Sequence, residues 1–128
     1  LSPISVPPPA RDHTQMDAAA ARALRRDAAA RLDVLAGAIE PQVAALETAM
    51  QATADSGAAM DRRTAHFRFS RLSRLETELS ALLRRLSALS GTDRTDAAAL
   101  RNRAEALRAQ VADALATWRP GLAALEAE

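Results

Sequence analysis

At 128 residues, with no cysteine and with seventeen basic residues, all arginine, against sixteen acidic ones, the chain has the size of one domain and a formal charge of +1. The missing cysteine excludes disulfides, thiolate nucleophiles and cysteine-ligated zinc, and the near-neutral total excludes bulk attraction to nucleic acid or an anionic membrane. No apolar run reaches the roughly 20 residues of a membrane span, and no charged n-region with an apolar h-region begins the chain; its first residue is Leu1 rather than methionine, which reads as a processed or excised product.

Alanine and leucine dominate the apolar content, β-branched residues are few and glycine is nearly confined to segment ends, so local preference points to an all-α fold. Only Phe67, Phe69 and Trp118 are aromatic. The core is therefore expected to be leucine and alanine with close helix approach, which leaves little room for a bulky cofactor, and none is expected.

Residues 1–13 hold four of the six prolines and read as a polyproline-like arm or linker, with residues 14–128 forming the helical domain. Thr14 followed by Asp17 resembles a capping box, so a first helix is expected from Thr14. Its apolar positions Leu24, Ala28, Leu32, Leu35, Ile39, Val43, Leu46, Met50 and Thr53 keep to one face. Pro41 removes a helical donor and crowds the carbonyl of Gly37, so this helix is expected to kink there or to break into two. The kink is preferred because no polar loop-forming run surrounds the proline.

Asp55-Ser56-Gly57 is the first turn signal, and a second helix is expected from Ala58 or Asp61 to Leu89. In it Leu72, Leu75, Leu79, Leu82, Leu86 and Leu89 step by three and four, which draws one leucine seam along a helix, widened by Leu83. Ser90-Gly91-Thr92-Asp93 repeats the punctuation, with Gly91 ending one helix and Thr92 or Asp93 capping the next. The third helix carries Leu100, Ala104, Leu107, Val111, Ala114 or Leu115, Trp118, Leu122 and Leu125 on one face. Three long helices with short connections alternate direction. The expected fold is an up-down-up three-helix bundle, with a four-helix variant if Pro41 breaks the first helix; it is similar in outline to spectrin-like repeats, in architecture and not in motif. Pairs four apart, Asp27 with Arg31, Arg74 with Glu78 and Arg101 with Glu105, are expected to bridge along exposed faces.

Little chemistry can be assembled from these residues. The histidines are His13 and His66, and neither belongs to a Glu-x-x-His pair that a metal-binding bundle uses. No phosphate-cradling glycine loop or serine elbow is present. Phosphotransfer through His66 finds Phe67, Arg68 and Phe69 where a docking partner needs small residues. The chain is read as non-enzymatic.

One stretch is unevenly charged: residues 61–74 hold five arginines against one aspartate. Extending the leucine seam backwards places Ala65 and Arg68 toward the core with Phe69 beside them, and places Phe67 outward with Arg63, Arg71 and Arg74. An outward phenylalanine among guanidinium groups can stack on a base, bind an acidic partner helix or grip an anion. The alternative is a shifted register that turns Phe67 inward and leaves the arginines solvated. Counting from Thr14 and Asp93, Pro41 and Pro120 each lie twenty-seven residues into their helices, and twenty-seven back from Ser90 is Arg63. Kinks at one level are expected to open a waist beside Arg62, Arg63, His66, Glu40 and Trp118. The expected function is an interaction, scaffold or sensor module that binds a protein partner or itself; the alternative is a nucleic-acid or anionic-ligand binder working through residues 62–74.

Overall fold

The computed structural model describes residues 17–127, and among them the chain forms four helices and no strand. They are α1 (Ala18–Ser56), α2 (Ala59–Ser87), the six-residue α3 (Gly91–Asp96) and α4 (Ala98–Ala127). The three long helices pack as an up-down-up bundle, α2 antiparallel to both α1 and α4. The proline-rich segment expected over residues 1–13, and Thr14 with it, lie outside the described residues.

The N-terminal cap of α1 is Asp17, not Thr14: its carboxylate accepts from the Ala20 N–H at 2.7 Å and satisfies one of the donors that a helix start leaves over. The helix then runs unbroken through Pro41 for 39 residues. Gly37, Glu40 and Pro41 are all exposed, so the carbonyl that loses its helical donor lies on the water-facing side, where the loss is cheapest. The fourth helix accordingly does not come from a break at Pro41.

Gly57 closes α1 with φ 64° and donates its N–H to the Thr53 carbonyl at 2.8 Å. Ala58 offers no side-chain cap to α2, and Ser56 stands in: its Oγ accepts from the Ala58 N–H at 3.2 Å and its hydroxyl bonds the carboxylate of Asp61, which sits in the first turn of α2 where negative charge is favoured.

The second connection departs from expectation. Helix α2 ends at Ser87 rather than Leu89, and Gly91, with φ 58°, opens α3 after Ser90 instead of ending α2. The expected third helix is thus split, with Thr92 and Asp93 inside α3 rather than capping α4. Thr92, Asp93, Thr95 and Asp96 all compete for backbone hydrogen bonds, which weakens the ladder at this point. Ala97, fully buried, is the pivot between α3 and α4.

The core is one cluster. The seam leucines Leu72, Leu79 and Leu86 are fully buried, Leu82, Leu83 and Leu89 nearly so, and Leu75 is only partly covered. From α1 come Leu24, Leu32, Leu35, Ile39 and Leu46, and from α4 Ala104, Leu107, Val111, Leu115 and Leu122. Thr53, the buried polar residue of this core, donates its hydroxyl to the Ala49 carbonyl at 2.8 Å and so enters without an unsatisfied group.

The charge is spent between helices rather than along them. Arg31 makes a two-pronged pair with Glu78, at 2.8 and 2.9 Å, where the local pairs Asp27 with Arg31 and Arg74 with Glu78 were expected. Arg25 meets Asp93 at 2.9 Å and Arg103 meets Asp33 at 2.7 Å. Hydrogen bonding to Glu78 and the nearness of its charge raise the Arg31 pKa above its ordinary value.

Candidate functional site

Ala65 and Leu72, both fully buried, fix the face of α2 that looks into the bundle. Helical spacing then sends Phe67 outward, and it is 54% exposed. Its ring lies beside the guanidinium groups of Arg68 and Arg71, whose central carbons are 5.6 and 5.8 Å from the ring centroid, within cation–π range. Phe69, two residues on, turns the other way: it packs against the core and meets Arg119 of α4 at 5.7 Å.

Met60 is 68% exposed and stands two turns before Phe67 on the same side of α2. Residues 60, 63, 67, 71 and 74 fall within about 80° of one another around the helix axis, so two apolar side chains and three arginines share one outward stripe. The sequence reading missed Met60 because it lies before the charged run, although its spacing of seven from Phe67 was there to be read.

The remaining candidates are scattered. Arg63 is exposed within the stripe, whereas Arg62 is half-buried and already engaged within the protein. His66 points its Nδ1 at Glu126 near the end of α4, 3.7 Å away, which is a long pairing between two half-exposed side chains. Glu40 is exposed on α1. Trp118 lines an apolar cleft of about 410 Å³ between α1 and α4, with Met50, Gln51, Ala54, Gly121 and Leu125.

The two prolines do not stand level. Contacts between the parallel elements join residues 68 to 71 apart in sequence, Arg25 with Asp93, Asp33 with Arg103 and Met50 with Gly121. Pro41 and Pro120 are 79 apart, so Pro120 sits roughly two to three turns further along the bundle. The cause lies at the helix starts: Asp17 and Ser90 are the observed caps, 73 apart, where Thr14 and Asp93 would have been 79 apart. Trp118 lines the α1–α4 cleft and Glu40 is exposed on α1, whereas the arginine stripe runs along α2.

A second cleft, of about 600 Å³, opens between α1 and α2 immediately after Pro41. Arg71, Ser73, Arg74, Leu75 and Thr77 line it from α2 and Gln42 from α1. The Arg31–Glu78 pair closes one end and also borders a smaller cleft of about 210 Å³ beyond it. Gln42 Oε1 is buried and accepts no hydrogen bond from the protein, which it shares among the described side chains with only Arg101 Nε. Such an acceptor costs roughly 1–3 kcal/mol when left unsatisfied. Arg31 and Gln42 escaped the sequence reading, Arg31 because local partners were assigned to it and Gln42 because a single amide carries no pattern.

Among the described residues no three histidines or carboxylates gather as a metal site would require, and no helix is long and apolar enough to cross a membrane. No protein-family model, curated protein or solved structure matches the chain, so functional inference rests on these residues alone.

Proposed function

We propose that the chain is a non-enzymatic interaction module that docks an acidic amphipathic helix of a protein partner on the outward stripe of α2. The observation that carries this reading is Phe67, an aromatic ring left 54% exposed and flanked by two guanidinium groups while every seam leucine of α2 is wholly or partly covered. A partner helix with apolar side chains two turns apart meets Met60 and Phe67, and its carboxylates meet Arg63, Arg71 and Arg74. Aromatic and arginine side chains are the groups that most often dominate binding energy at such surfaces.

An acidic helix fits better than nucleic acid. The stripe spans fifteen residues, about 21 Å of helix, and holds a single exposed ring, whereas a single strand is bound along a long basic track with several stacking rings. Self-association is also less favoured, because the other large exposed apolar side chain, Val34, lies on α1 away from the stripe.

Fluorescence anisotropy with a labelled amphipathic peptide of glutamate and leucine, beside a single-stranded oligonucleotide, tests the reading. The peptide should bind and Phe67→Ala should weaken it about tenfold or more with an unchanged melting temperature. Tighter binding of the oligonucleotide, with affinity falling steeply as salt rises, would replace the acidic-helix reading with a nucleic-acid one.

A further inference from the structure

The cleft beside Pro41 has a chemistry that the outward stripe does not explain. Its charged lining comprises Arg31, Arg71 and Arg74 against Glu78 alone. Glu78 is neutralised by its two-pronged contact with Arg31. The Thr77 hydroxyl is taken by the Ser73 carbonyl at 3.2 Å. Among the described residues neither Arg71, whose guanidinium lies by the Phe67 ring, nor Arg74 forms an ion pair. What the cleft still offers is two guanidinium groups and the apolar sides of Leu75 and Ala81, and at its border stands Gln42, whose buried amide oxygen has no donor.

We propose that this cleft binds a small hydroxylated organic anion. Its anionic head lies between Arg71 and Arg74, where guanidinium groups hold phosphate or carboxylate by paired charge-assisted hydrogen bonds. Its hydroxyl donates to Gln42 Oε1, which no protein group satisfies. A hydroxyl suits this amide in either orientation, because it both donates and accepts. Its carbon skeleton rests on Leu75 and Ala81. The volume, about 600 Å³, falls inside the roughly 300–1,000 Å³ of small-molecule sites. The reading does not depend on the docking of an acidic helix, although Arg71 and Arg74 belong to both surfaces.

Glycerol 3-phosphate and glycerate, which differ in the anionic head, are the probes, with inorganic phosphate and glycerol as controls. Titrations followed by nitrogen–proton NMR should move the Gln42 side-chain amide and the Arg74 Nε–H signal with at least one of the two probes. Inorganic phosphate should bind roughly three- to tenfold more weakly than glycerol 3-phosphate for want of the hydroxyl contact, and glycerol should not bind. Gln42→Leu should bring the probe's affinity down by a similar factor, and Arg74→Ala should remove binding. Gln42→Met replaces Gln42→Leu should the latter fail to fold. Phe67→Ala should leave probe binding intact, and Gln42→Leu should leave binding of the acidic peptide intact, so failure of one reading is distinct from failure of the other. The proposal is overturned if neither probe moves the Gln42 and Arg74 signals up to about 10 mM, or if affinity survives the Gln42 substitution unchanged.

Discussion

Replacing Leu79 by alanine is the sharpest probe of the bundle, because Leu79 is fully buried at the middle of the leucine seam. The substitution removes three carbon atoms, a transfer term of about 2.4 kcal/mol at about 0.8 kcal/mol per carbon. Helices of a close-packed bundle relax little, so a residual cavity of roughly 50 Å³ adds about 1 kcal/mol at about 24 cal/mol per Å³. The expected loss is about 3–4 kcal/mol, a large part of the roughly 5–15 kcal/mol available to a domain. Leu75 belongs to the same seam but borders the α1–α2 cleft and is only partly covered, so Leu75→Ala should cost about half as much. Urea denaturation followed by helix ellipticity measures both, and equal slopes in urea would license the comparison. A loss below about 1 kcal/mol for Leu79, or equal losses at the two positions, would show that the seam is not covered as described.

The two substituted glycines should move stability in opposite directions. Gly37→Ala, in an exposed helix interior where an added Cβ meets nothing within 4 Å, should stabilise by roughly 0.5–1 kcal/mol, whereas Gly57→Ala, at φ 64°, should destabilise by about 1 kcal/mol; thermal unfolding reads both. A double-mutant cycle on Arg31 and Glu78, whose side chains are 47% and 37% exposed, should give a coupling of no more than about 1 kcal/mol that shrinks as salt rises, and a coupling indifferent to salt would contradict a solvent-screened pair. Phe67→Ala and Arg71→Ala should each leave the melting temperature nearly unchanged, since neither side chain is buried in the core, and a large drop in either would turn the outward stripe into a structural feature.

What the sequence disclosed is what spacing along one helix can disclose. The step of three and four through Leu72, Leu79 and Leu86 identifies the buried face of α2 without knowledge of the other helices, and the same geometry sends Phe67 outward and Phe69 partly inward. Gly57 was legible because a left-handed residue at a helix end is a local requirement. Features that depend on how one helix lies against another were not legible. Arg31 has an acceptable partner four residues before it, in Asp27, and nothing in the local pattern reveals that Glu78 on the facing helix offers two oxygens at once. The relative level of Pro41 and Pro120 depends on which residue caps each helix, and moving the caps from Thr14 and Asp93 to Asp17 and Ser90 accounts for most of the offset.

Pro41 links the fold to the proposed small-molecule site by a physical route. A helix that carries proline on its exposed face keeps its course, because the carbonyl at Gly37 is left toward water. Gln42 follows, and it borders the α1–α2 groove with Leu75, its buried amide oxygen without a donor. A leucine at position 42 would extend the apolar stripe at no cost in unsatisfied hydrogen bonds. The free protein with Gln42→Leu is therefore expected to be as stable as the parent or more so, and the substitution separates two accounts of the amide. If Gln42 serves only packing, removing it lowers stability and changes nothing else. If it serves recognition, stability holds or rises while the stabilisation conferred by glycerol 3-phosphate or glycerate falls, because binding to the folded state alone raises the unfolding free energy only in proportion to the affinity that remains.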